Sequence, residues 1–590
     1  MNNKTYRVLI ITTLLLVLGV SSLFAQSQYA IHSHNDYKQQ FPFWRAYTNG
    51  AASIEVDVFL KNGIVYVTHS EDEITPNHTF ESLYITPIAQ LAEQNTLQPL
   101  QLLVDLKSKA KPTLKQLMKI MENYPKLIGN ENFKLVISGN RPALKEYHKY
   151  PDYVWFDHQN LDDLDTADLS KVALISTSFK PYSVWNGLGR FTKEDLQKVT
   201  AVIEKAHKTG KPFRFWAAPD TKTAWFRFAK LGVDFINTDK PAEATAFLAN
   251  VDAQSYTLPQ QQDIYKPAYA YDKQSKPLNV ILMVGDGNGL SQISSAMISN
   301  GGNLTVTQLQ DIGLVKTSSY DDLVTDSAAG GTAMATGTKT NNRAIGTDPN
   351  GNALTTMVEY LSEKGFVTGI ATTDRITGAT PSSFFAHVEE RDNSKAILEY
   401  LSKSNLNFFV SAGAEDYPAI SQTYTQKNIT DFTSVQEKAA MYLSEKSIGA
   451  ASERGAIFPQ HVKQVLQQLE AQEAPYFMMI EGAKIDSNGH TNNIKGIVDE
   501  MLDFDATIAE VLKVADKNKN TLVIITADHE TSGLAIMQGL DNNGIKAGFL
   551  THDHTAVMVP LFAYGPQAEQ FKGVFENTDI FHKILEILEQ

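Results

Sequence analysis

The chain contains no cysteine. That excludes disulfides, thiolate zinc sites, a cysteine nucleophile and a lipidated N-terminal cysteine. Any metal must then be held by histidine, aspartate and glutamate. Positive charge is also short: 52 Lys and Arg stand against 66 Asp and Glu, a formal net charge of -14. This balance argues against nucleic acid or an anionic membrane surface as the main partner. An anionic substrate would need a local cation to hold it. Beyond the N-terminus no apolar run is long enough to span a membrane. Internal repeats and long low-complexity tracts are absent as well.

What is present begins with a leader. Lys4 and Arg7 form a basic segment, Val8 to Val20 is apolar, and Leu23-Phe24-Ala25 is a plausible cleavage site. Residues 1–25 therefore read as a signal peptide, with an uncleaved anchor as the alternative. The mature protein is expected to be exported, periplasmic or extracellular, with no transmembrane anchor after cleavage. At 590 residues and 43% hydrophobic, the chain is globular and too long for one core, so two or more domains are expected.

From residue 27 to about 250, short apolar runs alternate with helical stretches. Candidate strands are Tyr29–Ser33, Ser53–Leu60, Ile64–Thr68, Leu102–Leu106, Lys134–Ile137, Tyr153–Phe156, Val172–Ile175, Phe213–Ala217 and Val233–Ile236. This α/β alternation predicts a parallel sheet closed as a TIM-type β/α barrel. Polar residues collect where strands end: His34, Asn35, Asp36, His69, Asp105 and Lys107. In a barrel such positions crowd one rim. Glu55 and Asp57 alternate with Ile54, Val56 and Val58, so period two points both carboxylates to one face. Inside a barrel, such a pair needs a metal or cationic partners. A solvent-facing edge strand is the alternative. Singly, His34 and His69 read as ordinary structural histidines; flanking an acidic strand, they read as functional.

His34-Asn35-Asp36, Glu55-Val56-Asp57, His69 and Asp105 resemble the glycerophosphodiester phosphodiesterase and phosphatidylinositol phospholipase C-like barrels. They are most similar to a branch that opens with His-Asn-Asp-Tyr. Phe215 to Asp220 and Phe235 to Asp239 are similar to the last two strands of that branch. The resemblance implies His34 and His69 as an acid/base pair. It also implies Glu55, Asp57 and Asp105 around a divalent cation, Ca2+ or Mg2+, with glycerophosphodiesters or inositol phospholipid-type substrates. The common diesterase pattern reads His-Arg-Gly where this chain has His-Asn-Asp. A second reading of the barrel is therefore an inert module that binds phospholipid or a surface.

Residues 251–276 are rich in Gln, Tyr, Lys and Pro without a period, and read as an inter-domain linker. From 277 to 590 the pattern is that of a doubly wound α/β domain. Three apolar runs each deliver an acid: Val280–Val284 leads to Asp286, Tyr476–Ile480 to Glu481, and Leu522–Thr526 to Asp528-His529. Short runs of this kind are buried parallel strands, whose carboxyl ends border the ligand crevice. Asp486 and His490 lie four apart, and His554 lies near the C-terminus. Imidazole with carboxylate is the ligand set of catalytic zinc. Asp286, Glu481, Asp486, His490, Asp528, His529 and His554 suffice for more than one cation. Thr325 to Ala333 sets a serine behind an aspartate, ahead of small residues that open a helix. Alone, Asp326-Ser327 is an ordinary N-cap; beside a metal cluster, that helix start suits a phosphate.

Val284-Gly285-Asp286-Gly287, Asp326-Ser327-Ala328, Ala379-Thr380-Pro381, His387 to Arg391, Glu481 to Asp486, Thr526-Ala527-Asp528-His529 and His554-Thr555 resemble, in that order, the alkaline phosphatases. The resemblance implies Ser327 as nucleophile and Arg391 as the phosphate-holding arginine. It implies one Zn2+ on Asp486, His490 and His554, a second on Asp286, Asp528 and His529, and Mg2+ on Asp286, Thr380 and Glu481. Two positions depart: familiar branches carry Asp or His where Gly378 stands, and Lys, His or Trp where Ser487 stands. The expected activity is hydrolysis of small phosphate monoesters through a phosphoserine, with phosphodiester hydrolysis in the barrel. A homodimer is one option. A sulfatase would need Pro and Arg after the nucleophile, and Ser327-Ala328-Ala329-Gly330-Gly331 has neither.

Overall fold

The computed structural model describes residues 29–435, 437–472 and 474–589. The expected signal peptide lies outside them. The chain divides into two compact units, Met1–Val251 and Asp252–Gln590.

The first unit holds β1 (Ala30–Ser33), β2 (Ser53–Lys61), β3 (Ile64–Val67), β4 (Leu100–Leu106), β5 (Phe133–Gly139), β6 (Val154–His158), β7 (Val172–Ser178), β8 (Phe213–Trp216) and β9 (Phe235–Thr238). Their order is β1-β9-β8-β7-β6-β5-β4-β2-β3, and β1 also pairs with β2 in parallel, which closes the sheet into a barrel. β3 lies outside the ring, antiparallel to β2. The turn between them is Asn62-Gly63, with φ of 51° and 80°. Positive φ at both central residues is what a tight hairpin needs. On β2, Ile54, Val56 and Val58 are fully buried, and Glu55 and Asp57 are buried on the alternate face. Both faces of the strand are thus covered, as parallel barrels require.

The second unit begins with β10 (Ser255–Tyr256). It continues through β11 (Asn279–Gly285), β12 (Asp311–Lys316), β13 (Val367–Arg375), β14 (Phe408–Ala412), β15 (Thr425–Gln426), β16 (Ala439–Tyr442), β17 (Tyr476–Gly482) and β18 (Thr521–Thr526). It ends with β19 (Glu530–Thr531), β20 (Ala535–Gly539), β21 (Ile545–Gly548), β22 (His554–Thr555), β23 (Val559–Tyr564) and β24 (Gly573–Glu576). The main sheet has the order β15-β16-β14-β13-β17-β11-β18-β23-β12-β24. β23 runs antiparallel to β18 and β12; the other pairs are parallel. Successive residues of β11 enter opposite cores, Ile281 and Met283 on one side and Val280, Leu282 and Val284 on the other. Helices therefore cover both faces.

Of residues 251–276, read from composition as a linker, all from Asp252 on belong to this unit and run as a strap over it. Tyr256 Oη donates to Asp499 at 2.8 Å and Tyr265 Oη to Asp516 at 2.7 Å. Their rings pack against the buried core, which period-based reading of so polar a stretch does not reveal. Among the described residues no helix is long and apolar enough to cross a membrane.

Candidate active sites

Parallel register assembles the first site. Thr372, Glu481, Val284 and Thr526 stand side by side across β13, β17, β11 and β18. Two residues further along the chain come Asp374, still in β13, and Asp286 and Asp528, just past the ends of β11 and β18. Asp286, Asp528 and His529 each offer a ligand atom within 4.8 Å of the others, and so do Asp486, His529 and His554. His490 joins the second group, its Nε2 lying 3.1 Å from His554 Nε2 and 3.2 Å from Asp486 Oδ2.

The ring tautomers follow from the acceptors. His490 Nδ1 faces the carbonyl of His552 at 2.6 Å, and His554 Nδ1 faces that of Thr325 at 2.8 Å. A carbonyl only accepts, so both Nδ1 atoms carry the proton. Thr531 Oγ1 donates to Asp486 at 2.5 Å, so at 3.2 Å it accepts from His529 Nδ1. All three Nε2 lone pairs are thereby turned inward, the orientation that second-shell acceptors impose on metal-binding histidines. Lone pairs this close repel unless a cation lies between them.

The acids say the same. Burial, then the Asp528 charge, pushes the Asp286 carboxyl well above its ordinary range. Burial, then Asp486, pushes Asp528 up to about 6. Burial, then Asp374, pushes Glu481 up to about 8. Burial and the neighbouring His554 lower His529 to about 3, so it is neutral. The hydrogen bond to Asp486 raises His490 to about 9, so without a metal a proton takes the place of the cation on its Nε2. Asp286 Oδ1 and Asp528 Oδ2 are buried without a hydrogen-bond partner. Unpaired buried oxygens and inward lone pairs fit divalent cations, and nitrogen with oxygen ligation fits zinc.

Ser327 opens the helix Ser327–Thr336, every residue of which is buried. Asp326 caps it, accepting from Ala329 N at 3.0 Å. Ser327 Oγ lies 3.2 Å from His529 Nε2. The other oxygen of Asp326 accepts from Arg391 Nη1 at 3.0 Å and from Arg343 N at 3.1 Å. Arg391 is thus tied to the cap of the Ser327 helix. Glu390, next to Arg391 in the chain, accepts from Arg343 Nε at 2.9 Å. Ser327, Arg391, Arg343, Asp486, His490 and His554 line one open cleft of about 400 Å³. Arg343 carries no sequence signal; its φ of 72° places it on a strained turn that only the structure reveals. Ser487 is exposed on the helix Lys484–His490.

In the barrel, Glu55, Asp57 and Asp105 each offer an oxygen within 4.8 Å of the others. The hairpin returns the chain so that His69 Nδ1 lies 2.7 Å from Asp57 Oδ2. His34 Nδ1 lies 2.7 Å from Asp239 Oδ1, and its neighbour Asn35 sits at φ 47°. Burial would lower His34, but Asp239 and Glu55 outweigh it and raise the pKa. Asp36 does not face this group. Its buried carboxylate accepts from Phe43 N at 2.6 Å and Tyr84 Oη at 2.9 Å, which holds the loop shape.

Two cations already serve these acids. Lys107 Nζ lies 3.2 Å from Asp105 and 3.4 Å from Asp57. Arg214, 2% exposed on β8, donates to Glu55 at 2.7 Å and to Asn237 at 3.1 Å. Burial would raise Glu55, but Arg214 and His32 hold it well below the usual carboxylate range. Asp57 Oδ1 and Asp105 Oδ1 remain buried and unpartnered, so the set still fits a hard cation such as Ca2+ or Mg2+. Sequence reasoning overlooked Arg214. The available signal was a lone arginine in the apolar run Phe213-Arg214-Phe215-Trp216.

A family model described as alkaline phosphatase matches residues 277–407, 453–549 and 540–590. An AIM6-like phosphodiesterase domain matches residues 25–102, and the glycerophosphoryl diester phosphodiesterase family matches 212–242. The solved alkaline phosphatase from the Antarctic bacterium TAB5 is 36% identical over 54% of this chain and 99% of its own, with a TM-score of 0.51. Alkaline phosphatase 4 of Bacillus subtilis is 27% identical over 407 residues, covering 52% of this chain and 88% of its own. Streptomycin-6-phosphate phosphatase of Streptomyces griseus is 27% identical over 397 residues, covering 51% and 88%.

Proposed function

The chain belongs to the alkaline phosphatase family through its second unit, and on that basis we propose that it hydrolyses phosphate monoesters with Ser327 as nucleophile. The observation that carries this is Ser327 Oγ at a capped helix start, 3.2 Å from the neutral His529 and in one cleft with Arg391, Asp486, His490 and His554. Asp486, His490 and His554 would hold one zinc ion, Asp286, Asp528 and His529 a second, and Asp286, Thr380 and Glu481 a magnesium ion. When bound, these cations supply the positive charge that favours the alkoxide of serine, an attacking hydroxide and the leaving oxygen.

The protein's own groups do the rest. Arg391 holds non-bridging oxygens of the phosphate in a planar fork, and Asp326 holds Arg391. Ser327 Oγ attacks phosphorus, the alcohol departs, and a phosphoserine remains. Water then attacks the same phosphorus and frees Ser327 and phosphate. In Ser327→Ala, turnover of p-nitrophenyl phosphate should fall by orders of magnitude with zinc content and fold unchanged. Near-normal turnover would sink the assignment.

The barrel reads as a phosphodiesterase whose product is a phosphate monoester. His34, its pKa raised, protonates the leaving alkoxide, while His69 takes the proton of the attacking oxygen. Glycerophosphodiesters or inositol phospholipid-type diesters are the substrate classes the motif resemblance favours. The second reading, an inert binding module, is favoured by Lys107, whose ammonium already bridges Asp57 and Asp105. Export to the periplasm or beyond rests on the leader-like residues 1–25.

A further inference from the structure

Asp374 is the penultimate residue of β13, close to the helix Ala379–Ser382 that follows Gly378. Its backbone N–H donates to Thr372 Oγ1 at 2.8 Å, and Thr372 Oγ1 in turn donates to Glu481. Among the described residues no side chain or backbone group donates to its carboxylate. Its neighbour Arg375 is committed to Glu415 and Asp416 instead. Asp374 therefore has no protein donor, and after burial it is the neighbour that most raises the pKa of Glu481.

Gly378 explains how Asp374 comes so close. The backbone there is ordinary, with φ -58° and ψ 158°, so conformation does not demand glycine. Space does. A Cβ at position 378 would meet Asp374 Oδ2 at 2.4 Å and its Cγ at 3.1 Å. A side chain at 378 and the Asp374 carboxylate exclude each other. Past this point, Thr380 Oγ1 is buried and faces Glu481 without completing a hydrogen bond, and Asp286 Oδ1 is buried and unpartnered.

Resting on the cation reading above, we propose that Asp374 supplies the carboxylate that holds the water shell of the cation bound by Asp286, Thr380 and Glu481. Asp374 is exposed and stands outside the tight ligand groups. That suits contact through bound water, which Mg2+ usually keeps. The side chain that familiar branches carry at 378, Asp or His, then has its counterpart near the end of β13, four residues earlier in the chain.

The test is Mg2+ titration by calorimetry on zinc-loaded protein. Asp374→Ala should weaken Mg2+ binding at least tenfold, on the order expected for an outer-shell partner, with zinc content unchanged. The double variant Asp374→Ala/Gly378→Asp should recover most of the lost affinity, because it returns an acid to the vacated space. Wild-type Mg2+ affinity in Asp374→Ala, or zinc lost in parallel with magnesium, overturns the assignment. A double variant as weak as the single one also overturns it. If the unmodified protein takes up no Mg2+ with zinc in place, the three-ligand site itself is refuted, and Asp374 with it.

Discussion

His387 sits between two acceptors. Its Nδ1 faces Gly346 O at 2.8 Å and its Nε2 faces Glu359 Oε1 at 3.0 Å, so both nitrogens must carry protons. Burial would lower its pKa, but Glu359 and the Gly346 carbonyl outweigh burial and raise it. The folded state therefore binds this proton more tightly than the unfolded chain does. The stability it contributes is complete below the unfolded value near 6.5 and is lost as pH rises through the higher folded value. Denaturant titrations of wild type and His387→Gln across pH 5.5 to about 9 should show the gap largest in the acid range and shrinking above it. A gap independent of pH would refute the doubly protonated ring. The consequence for function is local, because the turn that follows His387 delivers Arg391 to Asp326.

The helix Ser327–Thr336 is built against ordinary propensity. Gly330 and Gly331 fall inside it, each costing about 1 kcal/mol relative to alanine. Proximity is the reason. A Cβ at 330 would lie 3.1 Å from the Cβ and carbonyl oxygen of Asp528, and one at 331 would lie 3.0 Å from Ser383 Oγ. The helix backbone thus approaches the strand-end acid closely enough to set Ser327 beside His529. Gly330→Val should push Asp528 aside. Its zinc content and phosphatase turnover should fall at least tenfold while circular dichroism stays native. Full zinc occupancy and turnover in that variant would show that the close approach is unnecessary. In the barrel, the β2–β3 hairpin plays the comparable part, returning His69 to Asp57.

At the scale of the whole molecule, one chain joins a unit of the alkaline phosphatase family to a barrel that matches phosphodiesterase families in two segments. If the barrel is a diesterase, its monoester product is what the second unit consumes, and the chain as a whole releases free phosphate. With a glycerophosphodiester as substrate, Ser327→Ala should accumulate a phosphate monoester without free phosphate. His34→Ala should leave the diester intact while still hydrolysing added monoester. Should diester cleavage persist in His34→Ala and vanish in Ser327→Ala, the diesterase activity belongs to the phosphatase cleft. The barrel is then a binding module, as the Lys107 bridge between Asp57 and Asp105 allows.

The order of short apolar runs, their period-two alternation and the acids at their ends were all legible in the sequence. Each is a local property, set by backbone geometry within a few residues. From these came the barrel, the doubly wound sheet, the shared face of Glu55 and Asp57, and the metal-type side chains of the second half. The partners of the charges were not legible. Arg214 reaches Glu55 across the barrel, Arg391 turns to Asp326 rather than to its neighbours Glu389 and Glu390, and Asp374 fills the space left by Gly378. The polar segment 252–276 likewise gave no sign that its tyrosines pack on the core. Which side chains meet depends on which strands become neighbours and in what register, and that is decided only when distant segments close into one sheet.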